Sequence, residues 1–139
     1  MDKLFIDTNI VLDLLSKRPE FYREAQELFT LAERQKIKLF VSSLTIANTY
    51  YLLSRQYNSG DAKIILTKFE ILADILPFDG KVVRLALLSE DFKDFEDAIQ
   101  YYIALENNIP IIITRNKKDF KNSLLPIFTA REYLNNSGL

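Results

Sequence analysis

Residues 5–15 read Phe-Ile-Asp-Thr-Asn-Ile-Val-Leu-Asp-Leu-Leu, and the change of rhythm inside them decides the fold. Lys3 to Ile6 is a short run rich in β-branched and aromatic residues, the pattern of a buried strand. From Thr8 to Ser16 the apolar residues Ile10, Leu14 and Leu15 recur at helical spacing. Asp7 stands at the junction of the two. An acid there serves as a helix N-cap, because its carboxylate accepts a first-turn backbone N–H. With Thr8 and Asn9 beside it, however, three polar groups exceed what one cap requires.

The strand-to-helix rhythm repeats along the chain. Pro19 precedes a helical pattern over Glu20 to Gln35, with Phe21, Ala25, Leu28, Phe29 and Ala32 as its apolar residues. Ile37 to Val41 reads as a second strand, and Ser42 or Ser43 caps a helix reaching about Tyr57. A turn at Asn58-Ser59-Gly60 precedes a helix capped by Asp61 and running to about Ala73. A short strand at Ile75 to Pro77, a helix from Asp79 to Ser89 and a helix from Asp94 to Glu106 follow, the last stopped by Asn107-Asn108. Ile109 to Thr114 is the most strand-like stretch, and Pro126 to Phe128 closes the set as an edge strand. Strands alternating with helices predict an α/β protein, a three-layer α/β/α arrangement around a central parallel sheet. At this length, residues 1–139 are expected to form a single domain.

Composition narrows the chemistry. With neither Cys nor His, the chain has no disulfide, thiol nucleophile, imidazole base or His metal ligand. Catalysis would rest on carboxylates, hydroxyls, amides, lysines or a recruited cation. The net charge of −1 gives no global positive field toward nucleic acid, so any such contact must come from a local patch. Asp7 and Asp13 interrupt the apolar N-terminal run, which therefore does not read as a signal peptide. No stretch approaches the roughly 18–20 apolar residues of a membrane helix, and a cytoplasmic protein is expected.

In open parallel sheets the ligand site lies beyond the carboxyl ends of the strands. That rule selects Asp7-Thr8-Asn9, Ser42-Ser43 and Thr114-Arg115-Asn116, joined by the acidic helix start at Asp94, Glu96 and Asp97. Acids, amides and hydroxyls suit a hard cation such as Mg²⁺ or Mn²⁺. Asp94 and Asp97 stand three apart on one helical face and repel each other, which a divalent ion would relieve. Of the two, Asp97 precedes Ala98 and Ile99 and is the expected ligand, with Asp94 a cap or second ligand. Thr114, Asn116 and Asp119 are within reach of the same point, and Arg115, Lys117, Lys118 and Lys121 form the densest basic cluster. Lys-rich turns are commonly just solvated, but this one adjoins the acids and is suited to steer phosphate. The aromatics Tyr50, Tyr51, Tyr57, Tyr101 and Tyr102 fall mostly at helical spacing and are expected in the core.

Taken in order, FIDTNIVLDLL, VSSLTIANTYYLL, DFEDAIQYYIALENNIPIIITRNKKDF and PIFTAREYL resemble the PIN-domain family, which includes VapC-type toxins of toxin–antitoxin pairs. The resemblance spans nearly the whole chain. It implies metal-dependent cleavage of RNA phosphodiester bonds with Mg²⁺ or Mn²⁺, an RNA substrate, an antitoxin partner and a homodimer. It implies a site of four acids, which fall here on Asp7, Asn48, Asp97 and Asn116, with Asp119 three residues on. Asn48 departs from the usual Glu, leaving two firm carboxylates, for which Asp94 or Asp119 would compensate. Asp7, Asp97, Asp94 and Asp119 are then the metal-binding set, Arg115 and Lys117 the phosphate contacts, and Thr8, Asn9 and Thr114 the orienting groups. The departure also leaves open a catalytically weakened RNA-binding or regulatory module. A haloacid-dehalogenase-like phosphatase likewise starts with a strand and an Asp, but it wants a second Asp where Asn9 stands.

Overall fold

The computed structural model describes residues 1–138. Five parallel strands, β1 (Asp2–Ile6), β2 (Ile37–Ser42), β3 (Asp74–Leu76), β4 (Ile111–Ile113) and β5 (Ile127–Phe128), lie in the order β3-β2-β1-β4-β5. The helices are α1 (Thr8–Leu15), α2 (Tyr22–Glu33), α3 (Ser43–Gln56), α4 (Ser59–Phe69), α5 (Gly80–Leu88), α6 (Phe95–Glu106) and α7 (Ala130–Ser137).

Alternation along the strands divides the core into two layers. Leu4, Ile6, Leu39, Val41 and Ile113 face one side and pack with Ile10 and Val11 of α1, Leu28 and Phe29 of α2, Phe69 of α4 and Tyr133 of α7. Phe5, Phe40 and Ile112 face the other, against Val82 and Ala86 of α5, Ile99 and Ile103 of α6, and Phe120. Helices therefore cover both faces of the parallel sheet, the expected three-layer α/β/α arrangement. The chain proceeds from β1 toward β2 and β3 on one side, then returns to place β4 against the other edge of β1. The crevice of such a sheet opens at this reversal, and Asp7 and Thr114 are the residues that follow β1 and β4 there.

Several boundaries differ from the sequence reading for local reasons. Asn58, not Asp61, caps α4: its side chain accepts from the Asp61 backbone N–H, so the helix starts at Ser59. That helix ends at Phe69 rather than Ala73. The strand expected from Ile109 begins at Ile111, after Pro110, which has no N–H to donate. Lys117–Phe120 forms a 3₁₀ turn, and the closing segment forms a helix fixed by a capping box between Thr129 and Glu132. Tyr101 is in the core, whereas Tyr51 and Tyr57 are exposed. Among the described residues no helix is long and apolar enough to cross a membrane.

Replacing Thr129 with Ala removes the acceptor for the Glu132 N–H and should lower stability by about 0.5–2 kcal/mol, read from urea unfolding. An unchanged midpoint would mean that tertiary contacts of Ala130 and Tyr133, not the cap, hold α7.

Candidate active site

Asp7 is only 5% exposed. Its Oδ1 accepts from the Thr8 backbone N–H at 2.8 Å and from Gln100 Nε2 at 3.4 Å, and its Oδ2 accepts from Thr114 Oγ1 at 2.8 Å and Asn9 Nδ2 at 3.2 Å. Burial pushes the Asp7 carboxyl above its ordinary range, and the bonds from Thr114, Thr8 and Gln100 pull it partly back. Every one of these donors is neutral. Thr8, Asn9 and Thr114, named above as orienting groups, all bond Asp7, and Asn9 Oδ1 also accepts from the Arg115 backbone N–H.

Asp97 stands half-buried on the first turn of α6. Its carboxyl is pushed up to about 7, first by burial and then by the charges of Asp7, Asp94, Asp119 and Glu96. Asp94 is exposed and caps α6, accepting from the Asp97 backbone N–H at 3.0 Å. Asp94 and Asp97 line a cleft of about 500 Å³ together with Asp119, Lys93, Lys118 and Lys121. Asn116 is exposed, its backbone N–H donating to Thr114 Oγ1 at 3.1 Å, and it is not among the residues that line this cleft.

One residue, Gln100, escapes the sequence reading of this site, and Glu96 was expected only as part of the acidic helix start. Glu96 turns inward from α6, its Oε1 accepting from Asn48 Nδ2 of α3 at 3.2 Å and facing Thr8 Oγ1 at 3.5 Å. Burial pushes its carboxyl up, with the Asp7 charge as the next cause. Gln100, one turn further along α6, is fully buried, and its Nε2 lies 3.4 Å from Asp7 Oδ1, 3.3 Å from Thr8 Oγ1 and 3.0 Å from Thr45 Oγ1. Thr45 in turn is bonded to Ser42, so the site is one polar network across α1, α3 and α6. A glutamine set between Ile99 and Tyr101 on a buried face was the signal available for Gln100. Glu96 was legible only as one of the acids at the helix start, with nothing local to say that it would turn inward while Phe95 is left 45% exposed.

The two expected phosphate contacts are engaged within the protein. Arg115 Nε donates to Asp13 Oδ2 at 2.8 Å, and its guanidinium lies 4.1 Å from the Phe21 ring centroid. Asp13 is buried, with Arg18 3.7 Å from its other oxygen. Lys117 pairs with Glu132 at 3.0 Å, an exposed and readily exchanged contact. Lys93, Lys118 and Lys121 form no ion pair among the described residues.

Buried Asp7 thus stands where a parallel α/β/α sheet reverses, with Glu96 and Asp97 of α6 near enough for its charge to raise both carboxyls. The model of the PIN domain matches residues 3–118, and the chain belongs to the PIN-domain family. It is 27% identical over 136 residues to Ribonuclease VapC1 of Aquifex aeolicus, covering 95% of this chain and 93% of that protein. Solved structures share the fold. VapBC2 from Rickettsia felis bound to a DNA fragment from its promoter aligns with a TM-score of 0.68 at 22% identity, over 91% of this chain and 96% of that one. A toxin–antitoxin complex from Klebsiella pneumoniae aligns at 0.69 and 23%, over 91% and 97%. VapC20 of Mycobacterium tuberculosis, a Sarcin-Ricin loop cleaving toxin, aligns at 0.63 and 16%, over 78% and 86%.

Two measurements test this geometry. Arg115→Ala leaves Asp13 buried with only the distant Arg18 as a cation and should cost about 3 kcal/mol in urea unfolding; a loss below about 1 kcal/mol would remove the pair from the structural core. In EDTA, the folded protein keeps the Asp97 proton up to about pH 7, while the unfolded chain releases it near 3.8. The stability this contributes is greatest at low pH and is lost as pH rises through about 7. The melting temperature of the metal-free protein should therefore decline more steeply from pH 5.5 to 8 than that of Asp97→Asn, and parallel curves would contradict the assignment.

Proposed function

We propose that this chain is a divalent-metal-dependent endoribonuclease and acts as the toxin of a toxin–antitoxin pair. The observation that carries the reading is the unpaired acidity of the site. Asp7 lies near enough to Glu96 and Asp97 for its charge to raise both carboxyls, and among the described residues none of the three forms a salt bridge. The resemblance to Ribonuclease VapC1 supports RNA as the substrate, and the fold neighbours that are toxin–antitoxin complexes support a small protein partner. The homodimer implied by the family resemblance belongs to the same proposal.

The donors fit a hard cation. Carboxylates and amides are oxygen ligands, and buried Gln100 has an amide oxygen with no hydrogen-bond partner in the same network. Among the described residues no three acids already converge on one point. Such a cation would keep much of its water rather than sit in a closed protein cage. Asp7 and Asp97 would hold such an ion, which supplies charge neutralisation for the phosphate and a more acidic water. Thr114, Asn9, Thr8 and Gln100 fix the Asp7 oxygens in direction. Asp94 holds the first turn of α6, and so the position of Asp97. Lys93, Lys118 and Lys121, which line the same cleft as Asp97, and Lys117 meet the phosphates on either side of the scissile bond, while Arg115 orders the loop that carries Lys117, Lys118 and Lys121.

The test is cleavage of a single-stranded RNA with Mg²⁺ or Mn²⁺. EDTA should abolish it, and Asp7→Asn or Asp97→Asn should slow it by at least about a hundredfold. RNA binding without cleavage by the wild type would favour the weakened module instead, and cleavage unaffected by either substitution would sink both readings.

A further inference from the structure

We infer that Glu96 supplies the third negative charge of the cation site, with Asn48 as the group that positions it. The inference rests on the metal-dependent reading above and assigns the charge that position 48 lacks. Glu96 lies on the first turn of α6, where an acid ordinarily points to solvent. Here Phe95 is left exposed and the acid turns inward, half-buried, onto Asn48 Nδ2 at 3.2 Å and toward Thr8 Oγ1 at 3.5 Å. Burying a carboxylate is costly unless something compensates for it, and these two neutral groups compensate only in part. No Lys or Arg pairs with it among the described residues. A cation from outside the chain would supply the missing charge, and Thr8, which follows Asp7, ties Glu96 to the rest of the site.

The same distance explains the amide at 48. With Glu96 in place, a carboxylate at residue 48 would bring two like charges to about hydrogen-bond distance, whereas an amide donates to the acid and holds it. Charge is thus moved from α3 to α6 across one contact. Neither Asp94, which is exposed and occupied as the α6 cap, nor exposed Asp119 is held by site residues in this way.

Calorimetric titration of Mn²⁺ into the metal-free protein tests the assignment independently of turnover. Glu96→Gln, which keeps shape and folding, should weaken Mn²⁺ binding by about 10- to 100-fold. The double variant Asn48→Glu/Glu96→Gln returns the charge to α3 and should recover affinity to within about threefold of wild type, a rescue that a purely structural role for Glu96 would not produce. If Glu96→Gln binds Mn²⁺ as wild type does while Asp7→Asn and Asp97→Asn lose it, the inference is wrong and the metal site stands. If the wild type binds no Mn²⁺ at millimolar concentration, the functional reading fails with it. Should Glu96→Gln unfold, the double variant decides alone: recovered folding and binding support the charge transfer, and recovered folding without binding overturns it.

Discussion

Everything at the carboxyl edge of this sheet depends on keeping one ionisable acid, Asp7, out of water. An isolated buried carboxylate costs several kcal/mol, a large fraction of the 5–15 kcal/mol by which a domain is stable. Four neutral donors from three parts of the fold meet it: the Thr8 backbone and Asn9 of α1, Thr114 after β4 and Gln100 of α6. Hydrogen bonds to a charged group contribute about 1.5–3 kcal/mol each, so they offset the burial without cancelling the charge. A neutral-donor cradle differs from an ion pair in this respect. It holds the carboxylate in place and leaves its field available to a visiting cation.

The cradle is only as rigid as the loop after β4, and a second buried acid fixes that loop. Asp13 lies two turns along α1 from Asp7 and draws Arg115 down onto Phe21. The Arg115 backbone N–H meanwhile reaches Asn9 Oδ1. Loop and helix are therefore joined twice, once by charge and once by an amide, and Thr114 is set against Asp7 between the two joints. Arg115 stabilises the architecture from a position where the sequence alone points to phosphate. A charged residue beside a site is legible by position, while its partner is legible only in three dimensions.

The same distinction governs what could be read in advance. Helix and strand rhythm is local, so β1, β2 and the major helices follow from residues a few positions apart, and the carboxyl-end rule then selects Asp7, Thr114 and Asp97. Starts and stops depend on single side chains competing for one backbone N–H. Asn58 outcompetes Asp61 in this way, and the Thr129–Glu132 box turns a closing segment into α7. The inward turn of Glu96, and the roles of Gln100 and Asp13, were hidden for another reason. Each acquires its meaning from a residue tens of positions away, Asn48, Asp7 and Arg115 respectively, and no local period encodes which faces of α3, α6 and α1 meet.

The placement of acid and amide across the α3–α6 contact also has an energetic logic. Glu96 and Asp97 sit on the first turn of α6, where unsatisfied backbone N–H groups favour negative charge by about 0.3–1 kcal/mol each. Residue 48 lies in the sixth position of α3, beyond the first turn, where that support has fallen away. An acid at 48 would be buried beside Thr45 without a helix terminus to favour it. At 96 it gains the terminus and, from Asn48, a donor. The mutual repulsion of the acids still wins at Asp97, whose carboxyl stays well above the ordinary range. Acid at 96 and amide at 48 thus lower the cost of assembling the acidic cluster without discharging it, so that the proposed cation site would fold without its ion.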